Sequence, residues 1–236
     1  MESALYLIPV TLGETEHSRV LPAYNKEVIE GIRHFIVENK KSAIRFLVKV
    51  SKEIPIDDLN FYELNEHTLA KDTISYLDPL KKQGLPIGII SEAGCPAVAD
   101  PGALVVEMAQ KQDLKVIPLV GPSSMILALM ASGFNGQSFA FNGYLPVKEN
   151  ERAKKLRALE NKIWNENQTQ LFIEAPYRNK KMLETILSVC KQDTKVCIAA
   201  GLTCKEEYVK TKSVAEWKKG QIPEINKIPA IFLLYK

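Results

Sequence analysis

The sequence predicts an α/β protein of two domains, with a mostly parallel sheet in the first domain and a mixed sheet in the second. Three observations favour this fold. Short apolar runs alternate with amphipathic segments up to about residue 132, which is typical of strands and crossover helices. After Ser132-Gly133 the strand-like runs follow one another with fewer helices between them. A length of 236 residues is enough for two small domains.

In the first half, buried-strand-like runs and helical periodicity alternate regularly. Ile44, Leu47 and Val48 have core spacing on one helix, and another helix is expected to stop at Gly84. The predicted strands are residues 4–10, 34–38, 61–64, 87–90 and 116–119. The predicted helices follow Pro22 and then cover residues 40–50, 68–83, 103–111 and 123–132.

The second half begins with an alternating segment, Ser138 to Tyr144, which is typical of a half-buried strand. The remaining predicted strands are 169–174, 196–200, 208–211 and 230–235, and the predicted helices are 149–164 and 179–190. We place the first domain at residues 1–118 and the second at residues 119–236.

Two loops rich in glycine and proline each follow an apolar run. The run Ile87–Ile90 leads into residues 91–102, and the run Val116–Val120 leads into Gly121-Pro122-Ser123-Ser124. Small residues let a ligand approach the backbone closely, and ligands of open α/β sheets bind at the carboxyl ends of strands. The sequence therefore predicts one pocket built from both loops.

Composition excludes several classes of protein. The net charge of +3 permits a nucleic-acid partner without arguing for one. Three scattered histidines and four widely spaced cysteines, without a Cys-x-x-Cys pair, give no metal site. We interpret Cys190, Cys197 and Cys204 as small apolar residues, and the free thiols indicate a reducing compartment. No signal peptide or membrane span is expected, so we expect a cytoplasmic protein.

Ordinary dinucleotide, P-loop and nucleophile-elbow motifs are absent from the sequence. Instead, five ordered motifs together resemble the tetrapyrrole methylase superfamily, the class III S-adenosylmethionine-dependent methyltransferases. Within it they are most similar to the 16S rRNA cytidine 2′-O-methyltransferase branch. The motifs are Ser91–Pro96 with Asp100-Pro101-Gly102, Val120–Ser123, Ala128-Leu129 with Ser132-Gly133, Phe141–Pro146, and Ile173–Arg178.

The resemblance implies two α/β domains, S-adenosylmethionine in the cleft between them, a homodimer, and RNA of the small ribosomal subunit as the substrate. It also implies a set of cofactor-binding residues, many of which would make contact through the backbone. These residues are Leu12, Gly13, Ala93, Gly94, Cys95, Val98, Ser123, Ser124, Glu174, Leu202, Pro229 and Ala230.

The sequence departs from the branch at polar positions. Glu38-Asn39-Lys40-Lys41 stands where the branch has Glu-Asp-Thr-Arg, and Glu92 and Cys95 replace Asp and Thr in the opening loop. Gly201-Leu202-Thr203-Cys204 replaces Glu-Leu-Thr-Lys, and the terminal Lys-Gly-Glu turn is absent. The cofactor scaffold is thus kept better than the residues expected to face RNA.

A ribose hydroxyl is a poor nucleophile at neutral pH, so methyl transfer to it needs a base or a nearby cation. We assign Glu38, Lys41 and Arg178 as catalytic residues, with Lys40, Asn65, Glu66 and Glu92 as further candidates. The competing interpretations are a solvated helix start for Lys40 and Lys41, and a surface salt bridge for Arg178. Two alternative functions keep the fold: methylation of a small molecule such as a tetrapyrrole, and a non-catalytic protein that binds cofactor or RNA.

Overall fold

The computed structural model describes residues 1–65, 68 and 72–236, and it divides into two compact units, Met1–Ser123 and Ser124–Lys236. The predicted boundary at residue 118 falls a few residues before this division. Each unit contains one five-stranded sheet with its own core.

The sheet of the first unit is entirely parallel. Its strand order is β3-β2-β4-β1-β5, and every neighbouring pair runs in the same direction. The carboxyl ends of all five strands therefore lie along one edge. The strands are β1 (Leu5–Ile8), β2 (His34–Val37), β3 (Asn60–Glu63), β4 (Ile87–Ile90) and β5 (Val116–Pro118). The helices are α1 (Ala23–Gly31), α2 (Lys40–Val50), α3 (Asp78–Gln83) and α4 (Gly102–Lys111).

Alternation along the strands gives this sheet a core on each face. Tyr6 and Ile8 pack with apolar residues of α1 and α2, whereas Leu5 packs with residues of α3 and α4. Within α2 the buried residues are Ala43, Leu47 and Val50. The predicted core position of Val48 is wrong, because its side chain is 43% exposed on the opposite side of the helix.

Two further predictions in the first unit need correction. The predicted helix 68–83 is not continuous: a short 3-10 helix covers Asp72–Ser75, and α3 begins only at Asp78. Pro79 explains the late start, since a residue without an N–H group is suited to the first turn of a helix. As predicted, the helix ends at Gly84, whose φ is 68°. Residues 66, 67 and 69–71, which include Glu66, lie outside the described residues.

The run Val116–Val120 was expected to be buried, and it is not. β5 is an edge strand that pairs only with β1 among the described residues, and Val120 is 72% exposed. An edge position also accommodates Pro118, which has no N–H group to donate to a second neighbour.

The sheet of the second unit is mixed, with the order β6-β7-β10-β8-β9. β6 and β7 are parallel, and the other neighbours are antiparallel. The strands are β6 (Phe139–Tyr144), β7 (Thr169–Ile173), β8 (Lys195–Ala200), β9 (Tyr208–Ser213) and β10 (Ala230–Tyr235). The helices are α5 (Ser124–Ser132), α6 (Glu149–Glu166), α7 (Asn179–Val189) and α8 (Val214–Lys219).

Helix α8 was missed by the sequence analysis, although its start carries a clear signal. The hydroxyl of Ser213 accepts a hydrogen bond from the backbone N–H of Glu216, and the Glu216 carboxylate accepts one from the N–H of Ser213. The helix buries Trp217, whose indole N–H donates to the carbonyl of Val196 at 3.0 Å.

The cysteines are free thiols. Cys190 and Cys197 are buried, and burial raises the pKa of Cys190 to about 12. These two residues therefore act as apolar core residues, as predicted, whereas Cys204 is only half-buried. Within the described ranges, no helix combines the length and apolar character needed to cross a membrane.

Candidate cofactor and active site

Three loops meet at the carboxyl edge of the first sheet: residues 9–14 after β1, residues 91–102 after β4 and residues 119–123 after β5. The N–H of Val10 donates to the carbonyl of Gly94 at 2.9 Å. A Cβ added to Gly94 would lie 3.0 Å from Leu12 Cδ2 and 3.1 Å from the carbonyl oxygen of Pro122. The glycine thus lets the three loops approach one another more closely than a side chain would allow.

The loop after β4 has an unusual backbone that its own side chains hold in place. Gly94, Ala97 and Ala99 have φ values of 71°, 64° and 57°, and this left-handed region disfavours alanine. The Ser91 hydroxyl donates to the carbonyl of Gly94 at 2.8 Å, and Asp100 Oδ1 accepts from the N–H groups of Ala97 and Gly102 at 3.1 and 2.6 Å. Strain that surrounding bonds maintain in this way is typical of a functional loop.

The surface of this edge is formed by small and apolar residues. Gly13, Ala93 and Val98 are exposed, and Leu12 is half-buried. Gly94 and Cys95 instead face protein atoms, since the Cys95 thiol lies 3.5 Å from the carbonyl oxygen of Pro122. Burial raises the pKa of this thiol, so it is not a reactive nucleophile.

Ser123 and Ser124 stand where the chain passes from the first unit to the second. Both are half-buried, and Ser124 is the first residue of α5 rather than Ser123 as predicted. Their expected contact with a cofactor stays a prediction.

Glu38 follows β2 at the same edge and lies beside two other carboxyl groups. Burial raises its pKa from the ordinary 4.5 to about 7, and a hydrogen bond to Asp100 and the charges of Asp100 and Glu92 add to this effect. Two backbone N–H groups donate to Asp100, and Glu38 is the carboxyl group of this pair whose pKa is raised. Glu38 is therefore a carboxyl group poised to exchange a proton near neutral pH.

The start of α2 brings further polar groups to this region. Asn39 Oδ1 accepts from the N–H groups of Lys41 and Ser42 at 2.9 and 3.2 Å, which caps the helix. The Ser42 hydroxyl donates to Glu92 Oε1 at 2.5 Å. The side chain of Lys41 is exposed, and that of Asn65, a further candidate, is half-buried.

In the second unit, Glu174 and Arg178 form a buried pair. The Glu174 side chain is 1% exposed, and its Oε1 accepts from Arg178 Nη2 at 2.6 Å, from Arg178 Nε at 2.9 Å and from the N–H of Ala175 at 2.7 Å. This pair fixes the turn after β7. Arg178 therefore forms a salt bridge, as the alternative predicted, but the bridge is not on the surface because the Glu174 carboxylate is buried. The roles of Glu174 in cofactor binding and of Arg178 in catalysis stay predictions.

The other residues expected from the second unit gather at one edge of its sheet. Pairing of Ile173 and Ala200 with the start of β10 brings together the ends of β7 and β8. Glu174, Leu202 and Pro229 lie just beyond these strand ends, and Ala230 is the first residue of β10. The N–H of Gly201 donates to the carbonyl of Pro229 at 3.0 Å. Leu202 and Ala230 are buried, whereas Pro229 is exposed.

Sequence reasoning missed Asp100 as the partner of Glu38 and identified it only as part of the motif Asp100-Pro101-Gly102. A signal was available, because both residues follow strands with parallel polarity and the ends of such strands meet at one edge. The order of the strands along the sequence does not show that β2 and β4 are direct neighbours in the sheet.

Curated proteins named ribosomal RNA small subunit methyltransferase I resemble this chain over most of its length. The relative from Vibrio cholerae is 30% identical over 214 residues, which cover 90% of this chain and 69% of that protein. The relative from Thermotoga maritima is 33% identical over 168 residues, which cover 71% of this chain and 70% of that protein. The chain thus spans about seven-tenths of these relatives. No protein-family model matches the chain.

Solved structures support the same assignment at the level of the fold. The crystal structure of the methyltransferase CobJ aligns over 99% of this chain and 94% of its own, with a TM-score of 0.64 and 13% identity. Such low identity shows the fold alone, which is the one that tetrapyrrole methylases share. The sequence relatives show, and the shared fold agrees, that this chain belongs to the ribosomal RNA small subunit methyltransferase I family.

Proposed function

We propose that this chain uses S-adenosylmethionine to methylate RNA of the small ribosomal subunit at a ribose 2′-hydroxyl. Membership of the methyltransferase family supports the reaction class. The single observation that carries the ribose assignment is Glu38, a partly buried carboxyl group whose pKa is raised to about 7 beside the converging loops. A general base with a pKa near the working pH is what a ribose hydroxyl needs.

The residues at the carboxyl edge of the first sheet fit S-adenosylmethionine. Exposed Ala93 and Val98 and half-buried Leu12 offer an apolar surface for an adenine base, and the small loop residues leave the backbone open to the amino-acid end. We propose that Leu12, Gly13, Ala93, Gly94, Cys95, Val98, Ser123 and Ser124 bind the cofactor, with Glu174, Leu202, Pro229 and Ala230 from the second unit.

When bound, S-adenosylmethionine supplies a methyl group that its sulfonium already activates. The protein then has to hold the ribose hydroxyl in line with that group and exclude water. Ionised Glu38 accepts the hydroxyl proton, and the backbone N–H of Glu92 donates to the Glu38 carboxylate and holds it in position. We propose that Lys41 and Arg178 attract RNA phosphate. The contribution of Arg178 is smaller, because its guanidinium group is already bonded to Glu174.

Calorimetry with S-adenosylmethionine and S-adenosylhomocysteine tests the cofactor assignment. We expect both to bind the wild type, and we expect Ala93→Trp to abolish binding because it fills the exposed loop surface. Ala158→Trp, at an exposed position of α6, is the matched control. A wild type that binds neither compound would overturn the function.

Transfer of tritiated methyl groups to small ribosomal subunits tests the substrate. Label on the ribose of the small-subunit RNA is the expected result. Label on a tetrapyrrole acceptor and none on RNA would support the small-molecule alternative. Cofactor binding without transfer to any acceptor would support a non-catalytic protein.

We also propose that the protein is a cytoplasmic homodimer. The free thiols support a reducing compartment. Ile126 and Met130 are four residues apart on α5 and are 45% and 74% exposed, so they support an apolar contact with a second copy. Sedimentation at micromolar concentration should give a dimer, and a monomer there would contradict this assignment.

A further inference from the structure

A cavity of about 420 Å³ lies in the first unit between α2, the loop after β1 and the end of β4. We call it the α2 groove. It is large enough for a small ligand and has a mixed polar and apolar lining. Its main side chains are Thr11, Ser42, Arg45, Phe46, Lys49 and Glu92.

One wall of the α2 groove carries positive charge. Arg45 and Lys49 line the groove and are four residues apart on one face of α2, and both are exposed. Glu14 also lines the groove and lies 3.2 Å from Lys49, but both side chains are too exposed for this pair to be strong. Among the described residues Arg45 forms no ion pair, so its charge is available to a ligand.

The rest of the groove offers two other kinds of contact. Phe46 is half-buried and presents an aromatic ring, on which a nucleic-acid base can stack. Ser42 and Glu92 are joined by their 2.5 Å hydrogen bond, and with Thr11 they give hydroxyl and carboxylate groups that suit sugar hydroxyls. A cation, a ring and a set of sugar-binding groups in one cavity match the three parts of a nucleotide.

The groove is continuous along the chain with the candidate active site. Thr11 and Glu92 line the groove and directly precede Leu12 and Ala93, which we propose bind the cofactor. The backbone N–H of Glu92 donates to the carboxyl group of Glu38. Glu38 does not line the groove, but the end of the groove at Glu92 adjoins it through this hydrogen bond.

We propose that the α2 groove binds one nucleotide of the single-stranded acceptor RNA, with flanking phosphates on Arg45 and Lys49 and the base against Phe46. This inference rests on the proposed function and adds the part of the chain that recognises the substrate. Phosphate contacts of this kind set the position of the strand and carry little sequence information.

The test compares Arg45→Ala and Phe46→Leu with Lys111→Ala. Lys111 is the control, because it is an exposed cation at the carboxyl end of α4, away from the groove. It forms an ion pair with Glu107. We expect Arg45→Ala to raise KM for small ribosomal subunits about tenfold, since a lost charged contact is worth roughly a factor of ten. It should leave kcat and the affinity for S-adenosylmethionine within twofold, and Lys111→Ala should match the wild type.

Fluorescence anisotropy with a short single-stranded RNA oligonucleotide keeps this inference separate from the proposed function. Both groove variants should bind the oligonucleotide more weakly than the wild type, and Arg45→Ala should lower the slope of log affinity against log salt by about one. A wild type that methylates RNA while both variants keep its KM and RNA affinity would overturn the groove alone. A wild type that does not bind the oligonucleotide would also overturn it, whereas failure to bind S-adenosylmethionine would overturn the proposed function.

Discussion

Glu38 shares a hydrogen bond with Asp100, and the two carboxyl groups come from the ends of neighbouring parallel strands. Each group has a separate task. Asp100 accepts hydrogen bonds from the backbone N–H groups of Ala97 and Gly102 and so fixes the turn that starts α4. Glu38 is the group whose pKa is raised, and it lies near Glu92 as well. One residue thus shapes the loop while the other is available for proton transfer.

Replacing Glu38 should change how stability depends on pH. The folded state raises this pKa from 4.5 to about 7, so folding is favoured by a bound proton, and that contribution is lost as pH rises through about 7. Glu38→Gln removes the charge, so its stability relative to wild type should be greater at pH 8 than at pH 5 by about 1 kcal/mol. We discount the full shift because the group is partly solvated.

Urea unfolding at both pH values measures this difference. Glu184→Gln, at an exposed position of α7, is the control and should show no such change. In methyl-transfer assays the wild-type rate should rise through about pH 7, and Glu38→Gln should lose both the rate and its pH dependence. A Glu38→Gln variant with wild-type activity would exclude Glu38 as the base.

Gly94→Ala should destabilise the first unit more than its backbone conformation alone explains. The φ of 71° disfavours alanine, and the new Cβ would also press against Leu12 and Pro122. Gly133 has a φ of 75° with no atom within 4 Å, so Gly133→Ala isolates the conformational part. We expect about 1 kcal/mol for Gly133→Ala and roughly 2–3 kcal/mol for Gly94→Ala in chemical denaturation. Equal losses would show that the loops do not pack tightly on Gly94.

Arg178→Ala should cost the second unit about 2–3 kcal/mol, because it leaves the buried Glu174 carboxylate without its cation. Lys181→Ala breaks an exposed ion pair with Glu149 and should cost less than about 0.5 kcal/mol. Adding Glu174→Gln to Arg178→Ala should recover part of the loss, since the uncompensated charge is gone. Thermal unfolding of the wild type, the two single variants and the double variant measures these losses. If the double variant is no more stable than Arg178→Ala, the uncompensated Glu174 charge is not the cause of the loss.

Asn39→Ala should cost about 1 kcal/mol by removing the cap of α2. Asn39→Asp should be close to neutral, because the two side chains cap helices equally well. Circular dichroism during urea unfolding separates these outcomes. A large loss in Asn39→Asp would show that the charge of residue 39, rather than the cap, determines stability here.

The elements that the sequence predicted best are those bounded by local signals. β4 was predicted at its observed limits because four apolar residues stand between Pro86 and Ser91. α2 was also predicted at its observed limits, with Asn39 as its cap. α3 was misjudged because the weak periodicity before Pro79 was extended into a single helix.

Long-range contacts were beyond the reach of local patterns. The residues around Val120 do not show that β5 lies at the edge of its sheet, because edge strands and central strands can have equally apolar sequences. The contacts of Glu38 with Asp100 and of Ser42 with Glu92 depend on strand order, which puts β2 beside β4 rather than beside β1. The motif resemblance located the cofactor loops, but it could not tell which of their residues face protein atoms.

The strand order has a consequence for how the chain reaches its folded state. Among the described residues β1 pairs only with β4 and β5, although both follow it at a distance in the chain. Leu5 gains its first neighbour only once Ile87 has been made, and its second only once Val116 has been made. Contacts between such distant parts of a chain form slowly. During translation the apolar strand β1 is therefore exposed to chaperones until β4 has been made.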